Sequence, residues 1–596
     1  MPMYRAPLKE LRFALHELVQ DRQLAGLESL EDYSPDFADS VLEEAAKFAE
    51  DVLDPINASG DREGAQWTAE GVRMPQAFKN AYDSYVAAGW TQLRGPAEFG
   101  GQAAPTVLGT AVEEIWASAN LAFKLCPMLT QGAIEAIERC GSAQQKQRYL
   151  PKMIAGEWTG TMNLTEPQAG SDLAAIRTRA VPDGDGFRLF GQKIFITYGD
   201  HDYTANIVHM VLARIEGAPS GNRGISLFIV PKHLVSADGS PGARNDVRCV
   251  SIEHKLGIHA SPTCVMAYGD KGGALGELVG EPNRGLEYMF IMMNAARLSV
   301  GLEGYAVAER AYQRALDWAR TRVQGRPRAT QESSDGKSLP IAYHPDVKRM
   351  LLTMRASTDA ARAIALYTAL QLDLGKRAAD TQQRTLCMAR GELLIPIVKA
   401  WSTELGVTLA SLGIQVHGGM GFIEETGAAQ HLRDARIATI YEGTTGIQAA
   451  DLIGRKLARD DAATMRQLIA EMRAQLGAVS SKDALLTKNL ATTTEAISLL
   501  ESATAAIMGT YKQGVQDALA VSVPYLTLCG VVIGGWFMAR AHAIAVTKQS
   551  DDPEFYAAKR QAACFYADYV LADAWSLHRV IDAGGASVSD SDPAMF

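Results

Sequence analysis

The chain is 596 residues long, 47% hydrophobic and 21% charged, with a formal net charge of −10. That length accommodates several domains and a large buried core, and the acidic balance lacks the clustered Lys and Arg of a nucleic-acid surface. Seven cysteines are scattered without a Cys-x-x-Cys pair, which argues against a metal site or disulfide framework and for reduced core thiols.

The opening run Met1-Pro-Met-Tyr-Arg-Ala-Pro has no apolar signal region, and acidic residues from Glu10 onward do not suit a transit peptide; a cytoplasmic protein is expected. Residues 1–35 read as an extension. Residues 36–159 read as helical, because Asp36 to Ala49 repeats its apolar positions three and four apart. The pattern then changes. Phe187–Phe190, Ile194–Thr197, Ile207–Leu212 and Ile225–Val230 are short, β-branched and aromatic, with Gly and Pro breaks, so residues 160–280 are predicted to form a small β-barrel.

Helical periodicity returns at Leu286–Met293 and runs through residues 281–455, interrupted by the polar stretch Thr330–Ser338, expected to be an exposed loop. Residues 456–596 form a further helical block with 12 Lys and Arg against 15 Asp and Glu, a net of −3. Within it, the 22 residues from Ala518 to Ala539 carry no charge and are long enough to cross a bilayer. Ser522, Pro524, Thr527 and three glycines favour a buried helix of a C-terminal bundle, with no stable membrane insertion.

Chemistry is concentrated in a few runs. Tyr441-Glu442-Gly443-Thr444-Thr445-Gly446-Ile447-Gln448 sets one carboxylate between an aromatic ring and a flexible turn, where it could serve as a general base. Taken alone, a surface glutamate is the commoner reading. Met162–Asp172 is a turn rich in Thr, Ser, Gly and Pro just before the strand block. Gly191–Thr197 is a strand, and Gln415–Phe422 is a Gly-rich segment.

Together these runs, in this order, resemble the acyl-CoA dehydrogenases over residues 75–455. The resemblance implies an α+β, mostly α fold: an N-terminal helical domain, a middle β-barrel and a C-terminal four-helix bundle, here with an extra C-terminal helical domain. It implies FAD as cofactor and removal of two hydrogens from adjacent carbons of an acyl-CoA thioester, the α-proton to Glu442 and the β-hydride to FAD N5. The implied FAD contacts are Met162, Leu164, Thr165 and Ser171 in the loop and Phe195, Ile196 and Thr197 in the strand. Arg322 and Gln324 follow, then Thr444 and Thr445 of the base turn, with Gln415, Gly418 and Gly419 reaching the FAD of a neighbouring chain. Substrate contacts are implied for Ser171, Asn294, Arg297 and Gly443. Many relatives carry Trp where this chain has Phe195, and the run Arg322-Val-Gln324-Gly325-Arg326 lacks the family's Phe.

Some branches place the catalytic glutamate immediately before the arginine matching Arg297. That position here is Ala296, which cannot abstract a proton, so Glu442 is the candidate base. A homodimer or higher homo-oligomer is implied, with electron-transfer flavoprotein as electron acceptor and neither metal nor nucleic acid as partner. The N-terminal Pro-x-Tyr-x-Ala-Pro run and the long C-terminal block resemble the branch that contains 3-methylmercaptopropionyl-CoA dehydrogenases and enzymes for ordinary fatty acyl-CoAs. Two alternatives stand beside this reading: an acyl-CoA oxidase passing electrons to oxygen, and a DNA-binding alkylation-response flavoprotein, for which a C-terminal net charge of −3 has the wrong sign.

Overall fold

The computed structural model describes residues 4–326 and 338–596. The expected loop Thr330–Ser338 therefore lies outside the described residues except for Ser338. The chain divides into two compact units, the smaller made of Lys47–Pro105 and Ala119–Ser299, the larger of Met1–Ala46, Thr106–Ser118 and Val300–Phe596.

The smaller unit contains helices Asp54–Glu63, Gln76–Ala87, Leu121–Cys140 and Ala143–Ile154. Their starts are legible locally: Asn120 caps Phe123, and Ser142 and Gln145 exchange the reciprocal bonds of a capping box. The helical reading of 36–159 fails over one short segment, where strands β1 (Gln66–Thr68) and β2 (Gly71–Arg73) form a hairpin. Gly71 sits at φ +139°, and the Thr68 hydroxyl bonds the Gly71 carbonyl at 2.9 Å, so turn chemistry overrides helix propensity here.

The remaining strands are β3 (Trp158–Asn163), β4 (Arg179–Asp183), β5 (Gly186–Thr197), β6 (Asn206–Ile215), β7 (Ile225–Pro231), β8 (His233–Val235), β9 (Pro241–Arg244), β10 (Val247–Ile252), β11 (Thr263–Tyr268) and β12 (Ala274–Val279). Strands β5, β12, β7, β6 and β4 pair in sequence, and β4 returns to β5, closing the predicted barrel. β3 lies parallel beside β6, while β11 and then β10 extend from β5. All of β7 and most of β6 are buried, including both faces, which is why Ile207–Leu212 and Ile225–Val230 read as continuous apolar runs.

In the larger unit, helix Pro345–Arg377 packs along helix Thr381–His417, and helix Gly285–Thr321 enters this unit at Val300. Helix Ser522–Thr547 lies at the centre of the C-terminal block, against Ala484–Gln513, Pro553–Phe565, Asp573–Ala583 and the two long helices. A Cβ at Gly530 would sit 2.3 Å from the Trp401 ring, and one at Gly534 would sit 2.5 Å from the Tyr566 hydroxyl, so these glycines admit aromatic neighbours. Ser522–Thr547 and the helix starting at Thr381 are long and apolar enough to cross a membrane, yet 83% and 78% of their most apolar stretches are buried inside the fold. The expected buried bundle helix is observed from Ser522, while Ala518–Ala520 belong to the short preceding helix Val515–Ala520.

The N-terminal extension is part of this same unit. The Phe13 ring meets Phe555 and Tyr556 edge-on at 5.8 and 6.3 Å, Lys9 pairs with Asp552 at 2.6 Å, and Arg540 donates to the Leu18 carbonyl at 2.7 Å. Beneath it lies a buried charged core. Arg362 donates to Glu114, Glu309 and Asp359 at 2.8–2.9 Å, Lys559 pairs with Asp359 at 2.7 Å, and Glu10 meets both Lys559 and Arg355. Burial pushes Glu114 up to about 6 against the pull of Arg362, and pushes Lys559 down to about 7 against that of Asp359. Every charge in the cluster has an opposite partner, the condition under which buried ions are tolerated.

Candidate active site

Two of the predicted flavin segments, separated in sequence, are neighbours in the smaller unit. Met162 is on β3, and the chain then turns through Leu164–Asp172, with Glu166 and Ala169 bonded to each other across the turn. The Ile194 amide on β5 donates to the Thr165 carbonyl at 2.9 Å, and the Thr161 hydroxyl donates to the Thr197 carbonyl at 2.7 Å. Leu164, Thr165 and Phe195–Thr197 are thereby held side by side.

Residues absent from the sequence reading fix this arrangement. Lys193 is wholly buried and donates to the Leu164 carbonyl at 2.9 Å and to Glu166 at 2.8 Å. Glu166 also accepts from the Arg177 amide, the Thr178 amide and the Thr178 hydroxyl. The β5–β11 register shifts between Cys264 and Met266, so β5 bulges at Ile194–Phe195. Phe195 adopts φ +59° and stands 60% exposed. A bulge re-aims a side chain out of the pleat, which explains how a ring on a barrel strand faces outward. Ser171 is exposed on the same loop. Asn294 is half-buried on helix Gly285–Thr321, and Arg297 is buried with its guanidinium 5.9 Å from the Phe290 ring centre.

In the larger unit Glu442 and Gly443 are half-buried in a tight turn, at φ +57° and +91°. Thr444 caps the following helix Thr445–Asp451, its side chain accepting from the Ile447 amide, and the Thr445 hydroxyl bonds Glu404 at 2.5 Å. At φ +91°, with a Cβ there 2.7 Å from Gln448 Nε2, position 443 favours glycine. Three buried side chains grip the turn: Glu303 accepts from the Tyr441 hydroxyl, Gln448 donates to the Glu442 carbonyl at 2.9 Å, and Lys399 donates to the Gly443 carbonyl at 2.6 Å. Burial, Glu303 and Glu442 all hold the Tyr441 phenol well above its ordinary range, so it remains a donor.

Arg322 and Gln324 are exposed, as are Gln415, Gly418 and Gly419 at the end of helix Thr381–His417. Trp318 links these two groups, stacking on His417 at 5.4 Å and carrying the Arg322 guanidinium 5.9 Å from its ring centre. Among the described residues, no group of three or more His, Cys, Asp and Glu could hold a metal ion.

Four family models match successive parts of the chain: Acyl-CoA dehydrogenase, N-terminal domain (residues 36–157), its middle domain (161–270), its C-terminal domain (283–458) and Acetyl-CoA dehydrogenase C-terminal like (462–592). The chain is 46% identical, over 99% of its length and 100% of the relative's, to 3-methylmercaptopropionyl-CoA dehydrogenase of Ruegeria pomeroyi. The chain is a member of the acyl-CoA dehydrogenase family. It is an FAD-dependent oxidoreductase acting on acyl-CoA thioesters. It is also 32% identical, over the full length of both chains, to the broad-specificity linear acyl-CoA dehydrogenase FadE5 of Mycobacterium tuberculosis. Its fold matches that of Caenorhabditis elegans ACDH-11 in complex with C11-CoA, with a TM-score of 0.78 at 19% identity, covering 96% of this chain and 92% of that one.

The residues of the smaller unit fit a flavin. An exposed aromatic ring, Phe195, stands on the strand bonded to the loop that carries Thr165, with Thr165 and Thr197 half-buried, a combination suited to the flat face and polar edge of an isoalloxazine.

Proposed function

We propose that the protein introduces an α,β double bond into an acyl-CoA thioester, with Glu442 as the base that removes the α-proton. What carries the assignment is the Glu442 turn: a carboxylate held half-buried at a disfavoured backbone angle, with three buried side chains fixing the residues around it. Backbone strain of this kind persists only where surrounding structure enforces it, and such places cluster at active sites. Tyr441, Gly443 and Thr444 orient the turn, and in this reading the Glu442 backbone N–H polarises the thioester oxygen as acidity develops at the α-carbon. Bound FAD supplies the two-electron acceptor for the β-hydrogen.

Met162, Leu164, Thr165, Ser171, Phe195, Ile196 and Thr197 hold the flavin in this reading, with Arg322, Gln324, Thr444 and Thr445. Gln415, Gly418 and Gly419 complete the cofactor site of a second chain in a homodimer or larger assembly. Asn294, Arg297, Ser171 and Gly443 serve the acyl-CoA. Electron-transfer flavoprotein is the proposed acceptor and the cytoplasm the proposed compartment. The proposed domain boundaries are 1–35, 36–159, 160–280, 281–455 and 456–596. The methylthio substrate named for the Ruegeria pomeroyi relative, or a linear fatty acyl-CoA, is the substrate class. Initial rates on a thioester panel from four to sixteen carbons plus 3-methylmercaptopropionyl-CoA test it. A preference of tenfold or more for the methylthio compound supports the first assignment, and a flat or long-chain profile supports the second.

A further inference from the structure

The Glu442 turn rests on buried polar side chains from three different helices. Glu303 is on helix Gly285–Thr321, Lys399 on helix Thr381–His417, and Gln448 on helix Thr445–Asp451; all are 1% exposed or less. They engage successive residues: the Tyr441 hydroxyl, the Glu442 carbonyl and the Gly443 carbonyl. Lys399 stands in the apolar run Leu393-Leu-Ile-Pro-Ile-Val-Lys-Ala-Trp401, where an apolar side chain would satisfy packing alone. A buried ammonium there carries a desolvation cost that hydrogen bonds must offset, and one of those bonds is to the turn itself.

We infer that Lys399 and Gln448 are positioning residues that hold the Glu442–Gly443 turn in its left-handed conformation, so that the carboxylate is presented in one orientation for proton abstraction. Each acts through a backbone carbonyl, and the two carbonyls belong to the two residues with positive φ. Removing either donor frees the turn to relax toward ordinary backbone angles and swings the Glu442 side chain away from its aim. The inference rests on Glu442 being the base.

The test uses the full-length holoenzyme in three variants: Lys399→Met, Gln448→Met and Glu442→Gln. Anaerobic flavin bleaching is followed after mixing with whichever of butyryl-CoA, palmitoyl-CoA and 3-methylmercaptopropionyl-CoA bleaches the wild type fastest, in protiated and α-deuterated forms. Misplacement of a reacting group by about 1 Å costs on the order of 100-fold. Lys399→Met and Gln448→Met are therefore expected to bleach roughly 10- to 100-fold more slowly, at full amplitude, with an α-deuterium effect at least as large as the wild type's. A purely structural role would lower the fraction of flavin that bleaches and leave the rate constant of the remainder unchanged. That result, a wild-type rate in both variants, or failure of both to fold would overturn the inference. Glu442→Gln separates the two readings. If it bleaches at the wild-type rate, the base assignment fails; if it is inert while both Met variants keep full rate, the base stands and the positioning role falls.

Discussion

Lys193 and Glu166 meet at 2.8 Å in the interior of the smaller unit, both shielded from solvent. Burial opposes ionisation of Glu166, but Lys193, the Thr178 hydroxyl and the Arg177 amide outweigh it and bring its carboxyl down to about 2. Burial likewise pushes Lys193 down to about 8, against the pull of Glu166. The pair is ionised at neutral pH, and because Lys193 also holds the Leu164 carbonyl, it ties the flavin loop to the flavin strand.

Lys193→Met leaves Glu166 buried without its cation, a change that costs roughly 3–5 kcal/mol in comparable buried pairs. The variant should unfold at lower denaturant and release FAD more readily on dilution, as followed by recovery of free-flavin fluorescence. Retention of FAD at wild-type affinity would show that the loop does not depend on this pair.

Glu442→Gln preserves size and most packing. FAD and acyl-CoA should still bind, while the rate of anaerobic flavin bleaching falls by at least about 10²–10⁴-fold. An unchanged rate would remove Glu442 from the mechanism.

His16 gives a pH-dependent contribution to stability. Burial disfavours its charged form, but Asp21 at 2.9 Å and Asp39 at 3.0 Å outweigh burial and raise its pKa. A raised folded pKa means the folded state holds the proton more tightly than the unfolded chain. The contribution is therefore complete below the unfolded value of about 6.5 and is lost as pH rises through the folded value. The difference in melting temperature between wild type and His16→Gln should be larger at about pH 6 than at about pH 9. A difference that grows toward alkaline pH would contradict the assignment.

Phe422 stands 86% exposed beside exposed Gln415, Gly418 and Gly419. A large apolar side chain in such a place points to cover by another chain, and closed two-fold pairing is the commonest form. Light scattering should give at least twice the chain mass, and Phe422→Asp should shift the protein toward monomer and weaken FAD retention. A wild-type monomer that keeps tight FAD would rule out a shared site.

The sequence made the order of helices and strands visible because hydrophobic period changes at the barrel and changes back after it. Glu442 became a candidate through the family resemblance of its turn; its composition alone reads as an ordinary surface glutamate. Lys399 and Glu303 were not legible: each is one of several polar residues in a long helix, and their relation to the turn exists only after folding. The lone lysine in the apolar stretch Leu393–Trp401 was the available signal, since a charge placed there must be paid for by a specific partner. Exposure of Phe195 depends on a register shift between β5 and β11 that no local pattern announces. The hairpin at Gln66–Arg73 did carry a cue, Gly71 after Ala69-Glu70, hidden among helical neighbours.

The ion cluster around Glu10 bears on how the chain is made. Glu10 leaves the ribosome well before one of its partners, Lys559. At roughly 5–20 residues per second, about half a minute to two minutes of synthesis separates them. Through that interval the segment with Phe13 and Glu10 lacks the helix Pro553–Phe565 that packs on it, so the larger unit can close only after that helix has been made. A stop shortly before Phe555 would leave the apolar segment around Phe13 as an exposed surface that chaperones meet.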